Sequence, residues 1–259
     1  MLTEEMIQEI IEKNRKFTKG YRNDDPIEKE FQSDQELKKP QPPLVKAAVT
    51  PVEEHIMLNK DFENLEIKNN LVDVIRERKS SRIFTRENMS LEQLSFLVWA
   101  TQGVKEIRGK SYATIRTVPC GGARHQFETY LLVRGVEGLE NGAYHYLPLE
   151  HSLEFLGVVD DMEHKITESM CGQGWAAKAN VVFYWSMVPY RVEWRYGIFA
   201  HRAALIDVGH VGQNLYLACT GLGLGCCAIA SFEDQWCTDI FGLDGEEEYV
   251  VYAVPVGTV

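Results

Sequence analysis

Three cations and two hydroxyls fall together at Arg78-Lys79-Ser80-Ser81-Arg82, a combination that can hold a phosphate. An arginine fork donates two parallel hydrogen bonds to a phosphate monoester, and serine hydroxyls and free backbone N–H groups supply more. A short basic run is also what an ordinary solvated surface looks like. A second candidate is Thr117-Val118-Pro119-Cys120-Gly121-Gly122-Ala123-Arg124-His125, where paired glycines let backbone approach a ligand closely and Arg124 adds a cation, or where the chain simply turns. The third, Pro189-Tyr190-Arg191-Val192-Glu193-Trp194-Arg195-Tyr196-Gly197, is dense in aromatics and arginine. It can stack on a planar ring and tune its charge, or form an aromatic surface helix with a Glu193 salt link.

Other chemistries lack their residues. There is no Walker loop or Rossmann fingerprint, and Gly221-Leu222-Gly223-Leu224-Gly225 follows a helical pattern instead of opening one. The chain has no Gly-x-Ser-x-Gly nucleophile elbow, no paired-histidine metal spacing, no Cys-x-x-Cys and no Cys/His cluster, so no metal is expected. His210 reads as an interior helical histidine. The six cysteines read as buried thiols, with Cys226 and Cys227 in an apolar run that ends at Ala228-Ile229-Ala230 and suggests an interior strand. A formal net charge of -11 argues against a nucleic-acid partner, whose phosphate backbone needs clustered cations, whereas a small anion needs only a local patch. No run approaches a membrane span, and the acidic start Met1-Leu2-Thr3-Glu4-Glu5 is unlike a secretory signal, so a cytoplasmic protein is expected.

These candidates must be positioned by elements that the periodicity marks. Residues 1–70 form an arm: polar, interrupted by Lys39-Pro40-Gln41-Pro42-Pro43, with Met6, Ile10 and Ile11 on one amphipathic helix. The rest of the arm either lies across the body or a partner subunit, or is a partly disordered tail. In the body, residues 71–259, Leu71, Val74 and Ile75 recur at helical spacing and place Arg78 beside their apolar seam. Ser90-Leu91-Glu92-Gln93 is a capping box opening a helix that runs to Gly103. Residues 128–134 and 180–188 read as strands, 142–147 and 152–157 as a hairpin about Pro148, and 248–256 as a central strand. The longest helix is expected over 199–220, with Ala204, Val208, Val211, Leu215 and Ala218 on one seam and Leu205, Gly209, Gly212, Tyr216 and Cys219 on a second. Its two glycines call for close approach by another backbone, from a subunit interface or an internal helix.

Four motifs stand in one order. They are Arg78-Lys79-Ser80-Ser81-Arg82, Pro119-Cys120-Gly121-Gly122-Ala123-Arg124-His125, Asp207-Val208-Gly209-His210-Val211-Gly212-Gln213-Asn214-Leu215 through Gly223, and Val254-Pro255-Val256-Gly257. That order resembles the nitroreductase superfamily, and most of all its SagB-type dehydrogenase branch. The resemblance implies an α+β sandwich with a central, mostly antiparallel sheet flanked by helices, and an intertwined homodimer with FMN in two interface pockets. It further implies that Arg78, Ser80 and Arg82, with Lys79 assisting, contact the FMN phosphate, ribityl chain and N1 side. Pro119, Cys120, Gly121, Gly122 and Arg124 would come from the other subunit along the ring edge. Ala228, Ile229, Ala230 and Ser231 would cover one ring face.

Two departures qualify the likeness. The basic pair that many members carry beyond the final Pro-Val-Gly is replaced by Thr258-Val259. A Lys-Tyr pair used by azole-forming members is matched by Arg195-Tyr196, whose arginine is too basic to act as a general base, leaving Tyr196 as the residue able to move a proton. Expected activities are hydride transfer from NAD(P)H through FMN to a nitro or quinone-like acceptor, in a ping-pong cycle, or oxidation of a peptide azoline to an azole. A flavin binder without turnover is the rival from another class.

Overall fold

Alternating side chains explain the central layer. In the strand Phe127–Val133, Phe127, Leu131 and Val133 join one apolar cluster while Tyr130 and Leu132 join another, so both faces must be covered. The computed structural model describes residues 3–19, 30–85 and 87–259. Its strands are β1 (Ile56–Met57), β2 (Val104–Arg108), β3 (Ala113–Arg116), β4 (Phe127–Val133), β5 (Gly142–Leu147), β6 (Ser152–Gly157), β7 (Val181–Met187), β8 (Leu224–Cys226) and β9 (Tyr249–Thr258). Seven of them form an antiparallel sheet ordered β1-β6-β5-β4-β7-β9-β8, and β2 pairs with β3 as a separate ribbon.

The helices are α1 (Glu4–Thr18), α2 (Leu71–Glu77), α3 (Leu91–Gln102), α4 (Met162–Ser169), α5 (Pro189–Tyr196), α6 (Ala200–Gly221) and α7 (Asp234–Phe241). α3 and α6 cover one face, setting Leu94, Leu97, Val208, Val211 and Leu215 against Leu131, Phe183 and Trp185. On the other, α4 and α7 set Ile166 and Cys237 against Tyr130, Leu132 and Tyr184. The expected α+β sandwich is therefore present, with the sheet between two helical layers.

The capping box at Ser90 and Gln93, the hairpin about Pro148 and the long helix all form where the pattern places them. Four expectations need correction. Of the six thiols expected to be buried, Cys171 is exposed, in the turn that follows α4, and Cys120 is half-buried. Leu71 and Ile75 are exposed and only Val74 of that seam is buried, because α2 lies at the edge of the body with its outer face uncovered. His210 and Gly209 are likewise exposed: the N-terminal half of the second α6 seam, Leu205 and Gly209, faces outward, while Gly212 abuts the Tyr252 ring. The run through Cys226 and Cys227 makes a three-residue edge strand, with one further bridge from Ile229 to Ala253, although both thiols are buried as expected.

Part of the arm is a strap. Gln35 N–H donates to the Trp194 carbonyl, the Trp194 indole N–H donates to the Lys39 carbonyl, and Ile56–Met57 adds β1 to the edge of the sheet at β6. Midway, residues 46–50 close over a buried charged chain. Arg191 pairs with Glu128 at 2.5 Å, and His145 bridges Glu128 at 3.1 Å and Glu154 at 2.8 Å. Glu154 accepts from the Val49 and Thr50 N–H groups, and Glu128 from that of Lys46. The amphipathic α1 forms as expected but buries none of its residues.

Candidate functional site

The basic cluster begins where α2 ends, with Arg78 at the C-cap and the following residues extended. Ser81 N–H donates to the Cys226 carbonyl at 2.9 Å, which ties the cluster to β8. Gly225 permits this approach, since a Cβ there would lie 2.7 Å from Ser81 Cβ. The Tyr216 hydroxyl joins the two segments: it accepts from Ala228 N–H at 2.9 Å and shares a hydrogen bond of the same length with Ser80 Oγ. Arg78 lies over the Tyr216 ring at 5.3 Å and Arg82 over Trp175 at 5.8 Å. Among the described residues Arg78, Lys79 and Arg82 have no carboxylate partner, and the N–H groups of Ala230 and Ser231 have no acceptor. Ile229 is buried in the sheet layer, and its N–H and carbonyl both pair with Ala253, so it adds no free donor to this surface. Through Tyr216, Arg78, Ser80 and Ala228 thus meet in a cationic cradle, flanked along the chain by Lys79 and Arg82 on one side and by Ala230 and Ser231 on the other.

The other predicted residues meet elsewhere. Pro119 leads into a tight turn at Gly121–Ala123, held by Asp207 of α6, which accepts Gly121 N–H at 3.0 Å, the Cys120 thiol at 3.2 Å and Gln126 at 3.3 Å. Gly122 has φ of +58°, and a Cβ there would sit 2.5 Å from Arg195 Nε and 2.7 Å from the Tyr196 hydroxyl. The turn therefore packs on the end of α5. Arg124 donates to the Gly122 and Tyr112 carbonyls and lies between the rings of Tyr112 and Trp194, 4.8 and 5.4 Å from their centroids. Burial, followed by the Asp207 charge, pushes the Cys120 thiol up to about 12, so it stays a neutral donor. Burial and the nearby arginines, Arg116 first, lower His125 to about 3 and keep it uncharged.

Helix geometry separates the two assemblies. Asp207 touches one and Tyr216 the other, nine residues on in α6. At 1.5 Å and 100° per residue they stand about 13 Å apart along the axis and on opposite sides of the helix. On its outward face α6 presents the exposed residues Leu205 and Ile206 ahead of Asp207, and Gly209, His210 and Gln213 between Asp207 and Tyr216.

Sequence reasoning missed Asp207 as the anchor of the Cys120 turn, although a carboxylate inside Leu205-Ile206-Asp207-Val208 signals a buried partner. Tyr112, Trp175 and Gln35 carried no such signal, because each matters only through contacts distant in sequence. Among the described residues no group of three or more His, Cys, Asp or Glu could hold a metal, and no helix is long and apolar enough to cross a membrane.

An antiparallel sheet between two helical layers, with an unpaired cationic cradle at one end of the long helix and a glycine turn at the other, defines a class of ligand-binding α+β proteins. Residues 75–258 match the family model described as the nitroreductase family, and the chain belongs to that family. A Methanocaldococcus jannaschii protein named as a nitroreductase is 34% identical over 197 residues, 76% of this chain and 93% of that protein. Among solved structures, a Ralstonia eutropha protein named as a nitroreductase superposes with a TM-score of 0.65 at 23% identity, over 85% of this chain and 99% of its own. A chain of the Escherichia coli microcin synthetase McbBCD complex, with truncated pro-MccB17 bound, matches over 99% of this chain and 94% of its own, at a TM-score of 0.59 and 18% identity. A Desulfovibrio desulfuricans family member solved in complex with FMN matches with a TM-score of 0.50 at 16% identity, over 73% of this chain and 86% of its own.

Proposed function

We propose that this protein is an FMN-dependent oxidoreductase whose pockets form between two copies of the chain. The observation that carries the reading is the division of the motif residues between two assemblies on opposite sides of α6. Each holds part of a flavin site, and a second copy packed on the exposed α6 stripe would bring the cradle of one chain to the Cys120–Arg124 turn of the other.

The residues present fit FMN. Arg78, Lys79 and Arg82, free of carboxylates, would hold the phosphate and the N1 side, with Ser80 adding a hydroxyl. Ala228 to Ser231 would lie under the ring, where the unpartnered Ala230 and Ser231 N–H groups can donate. Pro119, Cys120, Gly121, Gly122 and Arg124 would border its edge from the partner, with Gly122 allowing close approach. When bound, FMN would supply hydride chemistry at N5 between a donor such as NAD(P)H and a nitro or quinone-like acceptor. The Arg195 guanidinium orients and neutralises; Tyr196, whose hydroxyl lies at Gly122, donates or accepts the proton. On this reading residues 71–259 are the FMN-binding domain and residues 1–70 an extension, of which Gln35 and Lys39 brace α5.

A second reading, oxidation of a peptide azoline to an azole, is favoured by the match to the microcin synthetase chain, which extends over the arm as well as the body. The two readings share the flavin and differ in the electron donor. The purified protein is expected to be yellow, and Arg82→Ala to lose FMN on gel filtration by about tenfold or more, the scale of one charge-assisted contact. A colourless protein that takes up no added FMN would overturn both readings. Bleaching by NADH or NADPH without oxygen supports the reductase; a flavin that neither nucleotide bleaches points to the peptide dehydrogenase or to a binder without turnover.

A further inference from the structure

Beside the Gly121–Ala123 turn, two arginines stand close together without a carboxylate, in a chain whose net charge is -11. Arg124 is fixed by the two carbonyls and two rings described above. Burial, then the adjacent Arg195 charge among its lesser causes, lowers its pKa. Like charges held together in a partly dry site are costly until an anion joins them. Arg195 uses one N–H, donating from Nη1 to the Tyr112 hydroxyl at 3.1 Å, and the rest of its fork has no acceptor among the described residues. The strap completes the arrangement. Gln35 Nε2 also donates to the Tyr112 hydroxyl, at 2.8 Å, so both lone pairs of that oxygen are occupied and its own hydrogen has no acceptor among the described residues.

We propose that the Arg195 guanidinium and the Tyr112 hydroxyl, backed by Arg124 and oriented by Gln35 of the strap, form an oxyanion-recognition site for a carboxylate or phosphate on the substrate. This rests on the flavin reading only for what lies beside it: the bound anion would place the reacting end of the substrate over Gly122 and Tyr196. The guanidinium fork and the outward-turned hydroxyl together make the site selective for charge and shape. Its construction from the strap gives residues 31–39 a role in specificity, because Gln35 is what turns the Tyr112 hydrogen outward.

Full-length protein is titrated calorimetrically with benzoate, phenyl phosphate and the neutral isostere benzamide, and flavin absorbance is recorded on the same samples. At least one anion is expected to bind about tenfold or more tightly than benzamide, a preference that weakens with salt. The tighter of the two anions identifies the group recognised. Tyr112→Phe should remove the preference with flavin content unchanged, Arg195→Gln should remove it as well, and Arg195→Lys should restore part of it. Equal binding of all three ligands, or a preference that survives Arg195→Gln, overturns the proposal. A colourless protein that still prefers an anion would sink the flavin reading and leave this site standing; a yellow protein that does not discriminate would do the reverse.

Discussion

Cys120 shows how a side chain's surroundings decide whether a reactive atom reacts. Its sulfur faces the Asp207 carboxylate and the Gln126 carbonyl oxygen, both at 3.2 Å, and a thiolate there would be desolvated and repelled. With the thiol raised to about 12, roughly one molecule in ten thousand is thiolate at about pH 8, too little for nucleophilic work. Iodoacetamide at that pH should therefore label the exposed Cys171 and spare Cys120, as peptide mass mapping would show; fast labelling of Cys120 would contradict the buried turn. Asp207, which restrains it, stands in the third motif, but its partners are defined only by the packing of α6 on the turn.

At the scale of elements, the strap and α5 are held by the chain Arg191-Glu128-His145-Glu154. Both ring nitrogens of His145 face carboxylates, which only accept, so both N–H groups donate and the ring is an imidazolium. Burial pulls its pKa down, but the hydrogen bonds and charges of Glu128 and Glu154 outweigh this and raise it to about 9. Glu154 is lowered to about 2: burial opposes the ionised form, while His145 and the Val49 and Thr50 N–H groups favour it more strongly. A raised histidine stabilises fully below its ordinary pKa and loses that contribution as pH rises through about 9. A lowered carboxylate contributes above its ordinary value and loses it as pH falls through about 2. Urea midpoints should thus be flat between about pH 4.5 and 6.5 and fall on both sides. The advantage over His145→Gln should shrink between about pH 6.5 and 9. Glu128→Ala, which strands Arg191 and His145, should cost about 3–5 kcal/mol; a smaller loss at every pH would show the chain is not what holds the strap.

For the whole molecule, the exposed apolar residues Leu71, Val72, Ile75, Leu205 and Ile206 are more than half exposed in the single chain. Exposed apolar side chains of this kind mark an interaction surface, and Gly209, one turn after Leu205 and Ile206 on the outward face of α6, has open space where a Cβ would stand. On the dimer reading, Gly209→Trp should yield a monomer by light scattering and lose FMN in the same preparation, although every proposed cofactor-binding residue is unchanged. A monomer that keeps its flavin, or a dimer that tolerates the tryptophan, would refute shared pockets.

Local pattern was sufficient for much of this protein. The Ser90 capping box, the alternation of β4 and β7, the turn at Pro148 and the seam of α6 are set by neighbours a few residues away, so they can be read along the chain. The β2–β3 ribbon, α4 and α7 are not marked by the pattern, because elements this short hold too few residues to establish a period. The four motifs also named the candidate residues and their family. What the sequence could not decide was company: that Asp207 would anchor Cys120, that Gln35 would turn Tyr112, and that Leu71 and Ile75 would point outward. Those outcomes depend on contacts between segments far apart in the chain, and burial, charge and hydrogen-bond direction have no value until the tertiary structure supplies the partner.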